Sequence, residues 1–398
     1  MLIKYFHEKI SKFNRSRRFH LFQKRINSQT RARHRETLEW AAGNAYNSEL
    51  NEGTRNEGLR NDVLIKFRNL YQFENNIRVL VHVPAAKSSP GGYSVFSNLM
   101  ESLRYIGIPC QQLELGNNLK NQLSIFAPTV LLTSDSMSYL ELIDWGVIRQ
   151  YRINHQLLIG LTASIEAYGN TPIAGRLKWA KKNQVDFYYS FRAPEYIRNR
   201  KDYLPFFDEG YNIHSIEFGA NPLLYYPVTG VKKNIPFVFF GSSNADKQNR
   251  YLDWFDPLMT KSPGFINGYG WNGMCSTIPM NVNKYILARA QVGINLHLEE
   301  QVEWACELNE RTYVLAACGV PQLVDNARLL SERFSSESLF VANNPKEYAE
   351  LFDYLISNPN VAAGRAEVAL REVYEKHTTF HRAESLVLQI KHLIKATI

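Results

Sequence analysis

The 398-residue sequence lacks the features that define several common classes of protein. Its four cysteines form no C-x-x-C pair, and no histidine stands at a spacing suited to zinc. We therefore expect reduced, buried thiols of a cytosolic protein at these positions, which are Cys110, Cys275, Cys306 and Cys318. No run approaches the roughly 20 apolar residues that span a bilayer, and no apolar signal-peptide core opens the chain. These absences favour a cytoplasmic protein.

Two ligand motifs are missing or incomplete. Asp253 and Asp256 are three positions apart, so there is no Asp-x-Asp pair that would hold a diphosphate through Mg²⁺. Residues 268–273 fit G-x-G-x-x-G, but the following residues cannot open a long helix, and 288–295 offer no acid for a ribose. We interpret 268–273 as a glycine-rich loop rather than a dinucleotide site, and we expect no metal and no cofactor.

Acidic residues are almost absent from residues 1–35, which hold eleven Lys or Arg against one Glu. This arm carries +10 and the remainder of the chain −2, so the whole net charge of +8 comes from the arm. Ile3, Phe6, Ile10 and Phe13 recur in it at helical spacing, which is typical of a helix lying on an anionic membrane. A solvated tail and a nucleic-acid arm are alternatives, although phosphate binding alone would not require an apolar stripe.

The chain is longer than one hydrophobic core usually supports, and apolar strand-like runs alternate with helical patterns, as in parallel α/β sheets. The predicted strands are 78–83, 129–133, 157–163 and 185–190, then 237–240, 265–267, 292–297, 322–324 and 339–341. We predict four segments, with a final helix near 382–395 that is a candidate to cross back onto the first domain. The segments are a basic arm over 1–45, a polar linker with a short helix over 46–75, and α/β domains over 76–225 and 226–398.

Residues 309–326 predict a helix whose start suits an anion. Asn309 is a favoured N-cap, Glu310 complements the positive helix end, and Gly319 suits the left-handed residue that ends a helix. The start of such a helix faces the carboxyl edge of its sheet, where these folds bind ligands. Arg311, in the first turn, is therefore predicted to contact an anionic ligand.

These residues resemble the carboxyl-terminal signature of group 1 glycosyltransferases, most closely the spore-maturation CgeB-like branch. The resemblance covers about the second half of the chain. It rests on Asn309, Arg311, Tyr313, 317–319 and Asp325, on 219–222, 239–242 and 294–297, and on 345–355, His377, Thr378 and Arg382. It implies the GT-B fold, in which two Rossmann-like domains face each other across a cleft, with the sugar donor in the second domain and the acceptor in the first.

Without a metal, protein groups must neutralise the diphosphate that leaves as the sugar bond breaks. The resemblance implies that backbone amides, basic side chains and the helix start share this task. The predicted donor-binding residues are Gly241, Ser242, Lys247, Arg250, Asn309, Glu310 and Arg311. Lys247 is equally well explained as a solvated charge. We expect Arg311→Ala to weaken nucleoside-diphosphate binding with little effect on folding.

The sequence departs from the family at Val314, where a glutamate usually binds the donor ribose. Glu310, one turn earlier, and Glu307 are candidate replacements, and helix-start electrostatics is the alternative role for both. Glu166, after the strand 157–163, is our candidate for acceptor binding or proton abstraction, unless it is an exposed loop residue. His297, at the end of a predicted strand, is the second catalytic candidate, with a structural role as the alternative.

We therefore expect a metal-independent hexosyltransferase that moves sugar from a nucleotide-diphosphate sugar to a carbohydrate or lipid-linked acceptor. The basic arm would bring it to the inner face of an anionic membrane. Val314 keeps open a second interpretation, a GT-B-like binding or scaffold protein that has lost catalysis. A nucleic-acid-associated protein is a third.

Overall fold

Two parallel β-sheets with flanking helices make up the chain. The computed structural model describes residues 13–24, 35–46, 58–166, 171–243, 248–268, 271 and 279–397. They form two compact units. The first unit contains Asn61–Asn221, Ala305–Glu307 and the described residues from Lys376 on. The second contains Pro222–Trp304, Leu308–Glu375 and the described residues up to Arg60.

The sheet of the first unit has six parallel strands in the order β2-β1-β3-β4-β5-β6. The strands are β1 Val79–Val81, β2 Cys110–Gln112, β3 Val130–Thr133, β4 Leu158–Thr162, β5 Phe187–Ser190 and β6 Ile213–Ser215. Every residue of β1, β3, β4 and β5 is buried. Such uninterrupted apolar runs are expected where helices cover both faces of a parallel sheet.

Helices of the first unit follow its strands in βα alternation. They span Leu59–Phe67, Pro90–Tyr105, Leu119–Phe126, Met137–Leu140, Trp145–Asn154, Ile173–Lys182, Pro194–Asn199, Leu204–Asp208 and Thr379–Thr397. The last of these packs on Pro90–Tyr105, where Ser102 donates to Thr379 over 2.6 Å and the rings of Tyr105 and Phe380 stack at 4.5 Å. The carboxyl-terminal helix is thus part of the first unit, onto which the final helix was a candidate to cross back.

The sheet of the second unit has five parallel strands in the order β11-β10-β9-β7-β8. They are β7 Ile235–Phe240, β8 Phe265–Asn267, β9 Ala290–Asn295, β10 Gln322–Asp325 and β11 Phe340–Ala342. The helices after Arg60 in this unit are Gln248–Trp254, Asp256–Lys261, Met280–Ala288, Glu299–Glu303, Glu310–Ala317, Leu330–Arg333, Pro345–Ser357 and Pro359–Lys376.

Part of the basic arm packs into the core of the second unit. Residues 13–24 are helical, and Phe19 and Phe22 are buried in a cluster with Phe239 and Trp271. Phe13, in the same helix, is 69% exposed. Residues 13–24 of the predicted arm over 1–45 therefore belong to the core of the second unit. Ile3, Phe6 and Ile10 of the predicted stripe lie outside the described residues.

Candidate functional site

The strand order of the second unit defines where a ligand would bind. From β7 the sheet extends to one side through β8, and from β9 it extends to the other side through β10 and β11. The order of the strands therefore reverses between β7 and β9. In open α/β sheets, ligands bind at the carboxyl ends of the strands beside such a reversal. Here that edge carries the loop Gly241–Ser243 after β7 and the residues Leu296 and His297 after β9.

The helix predicted from residues 309–326 is present. Asn309 is its N-cap, and the side-chain oxygen accepts a hydrogen bond from the Thr312 amide over 3.2 Å. The helix spans Glu310–Ala317, and Gly319 follows in the left-handed conformation with φ 63°. The strand β10 begins three residues later, as predicted. The positive start of this helix therefore lies in the segment that joins β9 to β10.

The loop after β7 has its carbonyl groups turned toward two aromatic side chains. Trp271 Nε1 donates to the Gly241 carbonyl over 2.7 Å, and the Tyr251 hydroxyl donates to the Ser242 carbonyl over 2.8 Å. The two rings are neighbours, with centroids 5.2 Å apart. In a trans peptide the N–H points opposite to the C=O, so the amides of Ser242 and Ser243 point away from these rings. Among the described residues, neither amide donates a hydrogen bond.

Two glycines make this loop geometry accessible. A Cβ on Gly268, whose φ is 152°, would lie 2.0 Å from the Gly241 carbonyl oxygen. A Cβ on Gly241 would lie 2.2 Å from Nη2 of Arg311. The backbone contact at position 268 is not sterically allowed, so the loops after β7 and β8 can approach each other this closely only with glycine there, whereas a side chain at position 241 would displace the end of the Arg311 side chain. This gives a structural reason for the glycine at position 268, which begins the G-x-G-x-x-G match.

Arg311 is joined to the sheet edge through its own side chain. Its Nε donates to the Phe240 carbonyl, its Nη1 donates to the Asn295 side chain over 3.0 Å, and its guanidinium lies 4.3 Å from the Phe239 ring centroid. Nη2 lies against Gly241 and makes no hydrogen bond within the described part of the chain. The predicted anion ligand thus also helps to hold the end of β7, so the expectation that its loss leaves folding nearly intact is revised.

A buried polar network fixes the helix start against the sheet. Asn295, at the end of β9, donates to Thr312 over 2.9 Å and to Gln322 over 2.8 Å. Its side-chain oxygen accepts from Asn309 over 2.9 Å as well as from Arg311. Gln322 in turn donates to the Thr312 carbonyl over 3.1 Å. Every partner is hydrogen-bonded, so the network holds the first helical turn in one orientation.

His297 and Arg250 meet at one buried carboxylate. Asp325, at the end of β10, accepts from His297 Nδ1 over 2.7 Å and from the His297 amide, while its Oδ2 pairs with Arg250. The His297 side chain is fully buried, and its Nε2 lies 3.3 Å from the Thr312 hydroxyl. Burial alone would raise the pKa of Asp325, but His297 and Arg250 outweigh it and hold that pKa below its ordinary value. The carboxylate therefore stays ionised.

This arrangement bears on two of the predicted site residues. His297 has both ring nitrogens engaged inside the unit, which is the geometry of a positioning residue rather than of a proton acceptor for substrate. Arg250 has its charge neutralised by Asp325, and its Nε is buried with no partner among the described residues. Lys247 lies outside the described residues.

Glu310 and Val314 lie one turn apart on the helix Glu310–Ala317, and both are partly exposed. The other candidate for the ribose, Glu307, is placed differently. It belongs to the first unit, where it forms an ion pair with Arg192. Of the two carboxylates, Glu310 alone is in the second unit beside the helix start.

In the first unit, Glu166 accepts a hydrogen bond from the Ile173 amide over 2.9 Å. The carboxylate thereby caps the start of the helix Ile173–Lys182, a structural task that the sequence did not predict. Glu166 follows β4, whereas the strand order of this sheet reverses between β1 and β3. The predicted acceptor residue is therefore not at the strand ends where this topology favours ligands.

The residue at that reversal is His82, which directly follows β1. Its Nδ1 lies 2.9 Å from the hydroxyl of Thr133 at the end of β3, and its ring meets Tyr139 edge-to-face at 5.3 Å. Burial lowers the pKa of His82 from 6.5 to about 4, so the imidazole is neutral at pH 7. The sequence showed only an apolar run that includes this histidine. A polar residue just past a buried strand was the signal that could have singled it out.

A second buried group of the first unit supports the same edge. Asp135, two residues after β3, pairs with Arg176, and both side chains are almost completely buried. Ser164, after β4, donates to Asp135 from its hydroxyl over 2.6 Å and from its amide over 3.1 Å. Burial raises the pKa of Asp135 against the opposing effect of Arg176. This cluster ties together the segments that follow β3 and β4.

Among the described residues, no group of three or more His, Cys, Asp or Glu side chains is arranged to hold a metal ion. Within the same part of the chain, no helix is long and apolar enough to cross a membrane.

Comparison with known proteins agrees with this architecture. No curated protein matches the sequence significantly. Sucrose-phosphate synthase from Thermosynechococcus elongatus is similar in structure, with 13% identity, 80% of this chain and 100% of that chain covered, and a TM-score of 0.54. T4 phage BGT, in complex with its UDP-glucose substrate, is 12% identical, with 80% of this chain and 99% of that chain covered and a TM-score of 0.55. Anabaena HepE, in complex with UDP and glucose, is 13% identical, with 79% of this chain and 100% of that chain covered and a TM-score of 0.51. Residues 234–387 match the family model described as glycosyl transferase-like, and the chain has the fold of GT-B glycosyltransferases.

Proposed function

We propose that the protein is a glycosyltransferase whose second unit binds a nucleotide-diphosphate sugar and whose first unit binds the acceptor. The observation that carries the proposal is the orientation of the Ser242 and Ser243 amides at the β7–β9 reversal. Two successive backbone N–H groups that point to one side form a site for an anion such as a phosphate. The match of residues 234–387 to the glycosyl transferase-like family and the UDP-containing complexes of BGT and HepE support a diphosphate as that anion.

The proposed chemistry follows from the charge that develops on the diphosphate. As the sugar bond breaks, negative charge grows on the leaving group, and donors already aimed at it stabilise the transition state more than the bound substrate. The Ser242 and Ser243 amides, Nη2 of Arg311 and the start of the helix Glu310–Ala317 are the proposed donors, and no metal ion is required in this scheme. Glu310 is proposed to bind the donor ribose in place of a carboxylate at Val314.

On the acceptor side, we propose His82 in place of Glu166. A neutral imidazole at the β1–β3 reversal can accept a hydrogen bond from an acceptor hydroxyl, although a pKa of about 4 makes it a weak base. The acceptor is proposed to be a carbohydrate or a lipid-linked glycan, because the basic arm suits an anionic membrane surface. The signature residues favour a relative of the CgeB-like branch.

The test is a thermal-shift and calorimetric screen of the full chain with UDP, GDP, CDP and dTDP. A ligand that binds only the native state raises the melting temperature, so one nucleoside diphosphate should stabilise the protein and its nucleoside much less. The matching sugar nucleotides are then assayed for hydrolysis and transfer. If no nucleoside diphosphate binds, the proposal is wrong.

Val314 supports a second candidate, a GT-B-like protein that binds a nucleotide without transferring sugar. The two candidates differ in turnover and not in binding. Val314→Glu separates them further, because it restores the carboxylate that the family usually has at this position. Nucleotide binding with no hydrolysis or transfer of any sugar nucleotide, in either the parent or Val314→Glu, would favour the binding protein.

A further inference from the structure

Residues far apart in the sequence support the loop that is proposed to bind the diphosphate. Trp271 is 1% exposed, and its indole N–H donates to the Gly241 carbonyl over 2.7 Å. One side of this indole faces Phe22, which is fully buried, with ring centroids 6.2 Å apart and planes at 71°. Phe22 belongs to the helix of residues 13–24, more than 200 positions before the loop.

The contacts around Trp271 leave its ring little freedom. Besides Phe22, the ring meets Tyr251 at 5.2 Å and Phe239 at 6.2 Å. Phe19 extends the same cluster, with its ring centroid 6.0 Å from that of Phe22. Trp271 meets Phe22 and Phe239 edge-to-face, which is an arrangement that aromatic pairs favour. The amino-terminal helix is therefore one of the walls that hold the indole in place.

The hydrogen bond from the Trp271 indole N–H to the Gly241 carbonyl determines the direction of the Ser242 amide. The peptide between Gly241 and Ser242 is planar, so the bond from Trp271 to the carbonyl on one side fixes the Ser242 N–H on the other. Gly268 packs against the same peptide, at a distance that admits no side chain. Without the indole bond, the peptide could rotate, and the Ser242 amide would no longer be preorganised for an anion.

We infer that Phe22 and Trp271 are positioning residues of the donor site, acting through the Gly241 carbonyl to aim the Ser242 amide at the diphosphate. The inference rests on the proposed function. It also gives the amino-terminal helix a part in donor binding, because this helix supplies Phe22, which packs on Trp271.

The test compares UDP with uridine in calorimetric titrations of the full chain. Phe22→Ala and Trp271→Phe should each weaken UDP binding about tenfold, the loss expected for one hydrogen bond of this kind, and should leave uridine binding unchanged. Phe22→Leu fills most of the same volume and should restore the affinity for UDP. Leu21→Ala, on the same helix but 52% exposed in the parent, is the matched control and should bind UDP as the parent does.

Several outcomes would overturn the inference. UDP affinity equal to that of the parent in folded Phe22→Ala and Trp271→Phe would remove both residues from the donor site. Equal losses for UDP and uridine would show a general disturbance of the unit instead of an effect on the phosphate loop. Should Phe22→Ala fail to fold, Trp271→Phe decides alone. If the parent binds no nucleoside diphosphate, the proposed function itself fails, which the parent titration distinguishes from failure of the inference.

Discussion

His297 Nδ1 lies 2.7 Å from Oδ1 of Asp325, and this contact joins the segments that follow β9 and β10. The same carboxylate binds Arg250 through its other oxygen, so one buried anion holds a cationic side chain and an imidazole. Both His297 and Asp325 are essentially inaccessible to solvent. Asp325 therefore joins the ends of β9 and β10 to the helix Gln248–Trp254 at the carboxyl edge of the second sheet.

Asp325→Ala is therefore expected to destabilise the protein strongly. Removing one partner of a buried ion pair leaves the other charge uncompensated, which typically costs about 3–5 kcal/mol. The free energy of unfolding from urea titrations measures this loss. Asp353→Ala is the control, because Asp353 pairs with Lys261 at the surface, with both side chains about half exposed, and such pairs contribute about 0–1 kcal/mol. Similar losses in the two variants would contradict the structural role of Asp325.

Arg311→Ala should reduce both stability and affinity for UDP. The substitution removes the hydrogen bonds from Arg311 to the Phe240 carbonyl and to the Asn295 side chain, at a cost of about 1–3 kcal/mol in the free energy of unfolding. Loss of a charged hydrogen bond to the diphosphate should weaken UDP binding about tenfold to a hundredfold. Urea titration and calorimetry measure the two effects separately. A variant with parental UDP affinity would show that Arg311 is only structural.

Gly268→Ala is expected to disrupt the loop Gly241–Ser243 after β7. Its Cβ would lie 2.0 Å from the Gly241 carbonyl oxygen, and its φ of 152° strains any residue with a side chain. UDP binding should be lost, and the melting temperature should fall. Gly364→Ala is the matched control, because a Cβ at this helical glycine meets nothing within 4 Å. That substitution should stabilise the protein by about 0.5–1 kcal/mol, so a loss of UDP affinity shared by both variants would refute the argument.

His82 should make the protein sensitive to acid. Because burial lowers its folded-state pKa from 6.5 to about 4, the unfolded chain binds the extra proton between these values. Stability therefore rises with pH across this window and is lost on acidification, by up to about 3 kcal/mol. His82→Gln should flatten this part of the pH profile, measured by urea titration at pH 4.5 and 7. His155→Gln, which removes an exposed histidine, is the control and should leave this part of the profile as it is in the parent. Equal profiles for the parent and His82→Gln would contradict the assignment of the acid sensitivity to His82.

The basic arm should bind anionic vesicles in a salt-dependent manner. Each basic residue near such a surface contributes about 1 kcal/mol, and salt screens this attraction. Simultaneous replacement of Arg15, Arg17 and Arg18 by Glu should abolish sedimentation with phosphatidylglycerol vesicles, whereas replacing three exposed lysines elsewhere should not. Those control positions are Lys120, Lys178 and Lys376.

Charge replacement is a sharper test than truncation at Glu36, because truncation would also remove Phe19 and Phe22 from the core. The UDP affinity of the charge variant serves as its folding control and should equal that of the parent. If the full chain ignores anionic vesicles even at low salt, the arm does not serve a membrane. The proposal of a lipid-linked acceptor then loses its support.

Local sequence signals determined the strands of both sheets wherever burial was complete. The predicted runs 129–133 and 265–267 correspond to β3 and β8 within one residue, because strands covered on both faces are continuously apolar. The same logic missed β2 and β6. The first is Cys-Gln-Gln with two exposed glutamines, and no residue of β6 is fully buried, so neither strand shows the continuously apolar run on which the prediction depended.

The helix start at Asn309 was also predictable from the sequence, since an N-cap and a left-handed glycine depend on interactions within only a few residues. The sequence did not predict the structural roles of Arg311, His297 and Glu166. Each role depends on a partner from a separate segment or loop, namely the Phe240 carbonyl, Asp325 and the Ile173 amide. No spacing in the chain encodes such pairings.

The tertiary structure alone decided which residues meet at the strand ends. His82 reaches its position because β1 and β3 are neighbours at the reversal of strand order, and Phe22 reaches Trp271 because an amino-terminal helix packs on the second unit. Both contacts join residues that are far apart in the sequence, and the periodicity of apolar residues does not indicate such contacts. The sequence by itself therefore determined the continuously apolar strands, the capped helix and the charged arm, whose causes are local. The composition of the site depends on long-range packing, which only the folded chain brings about.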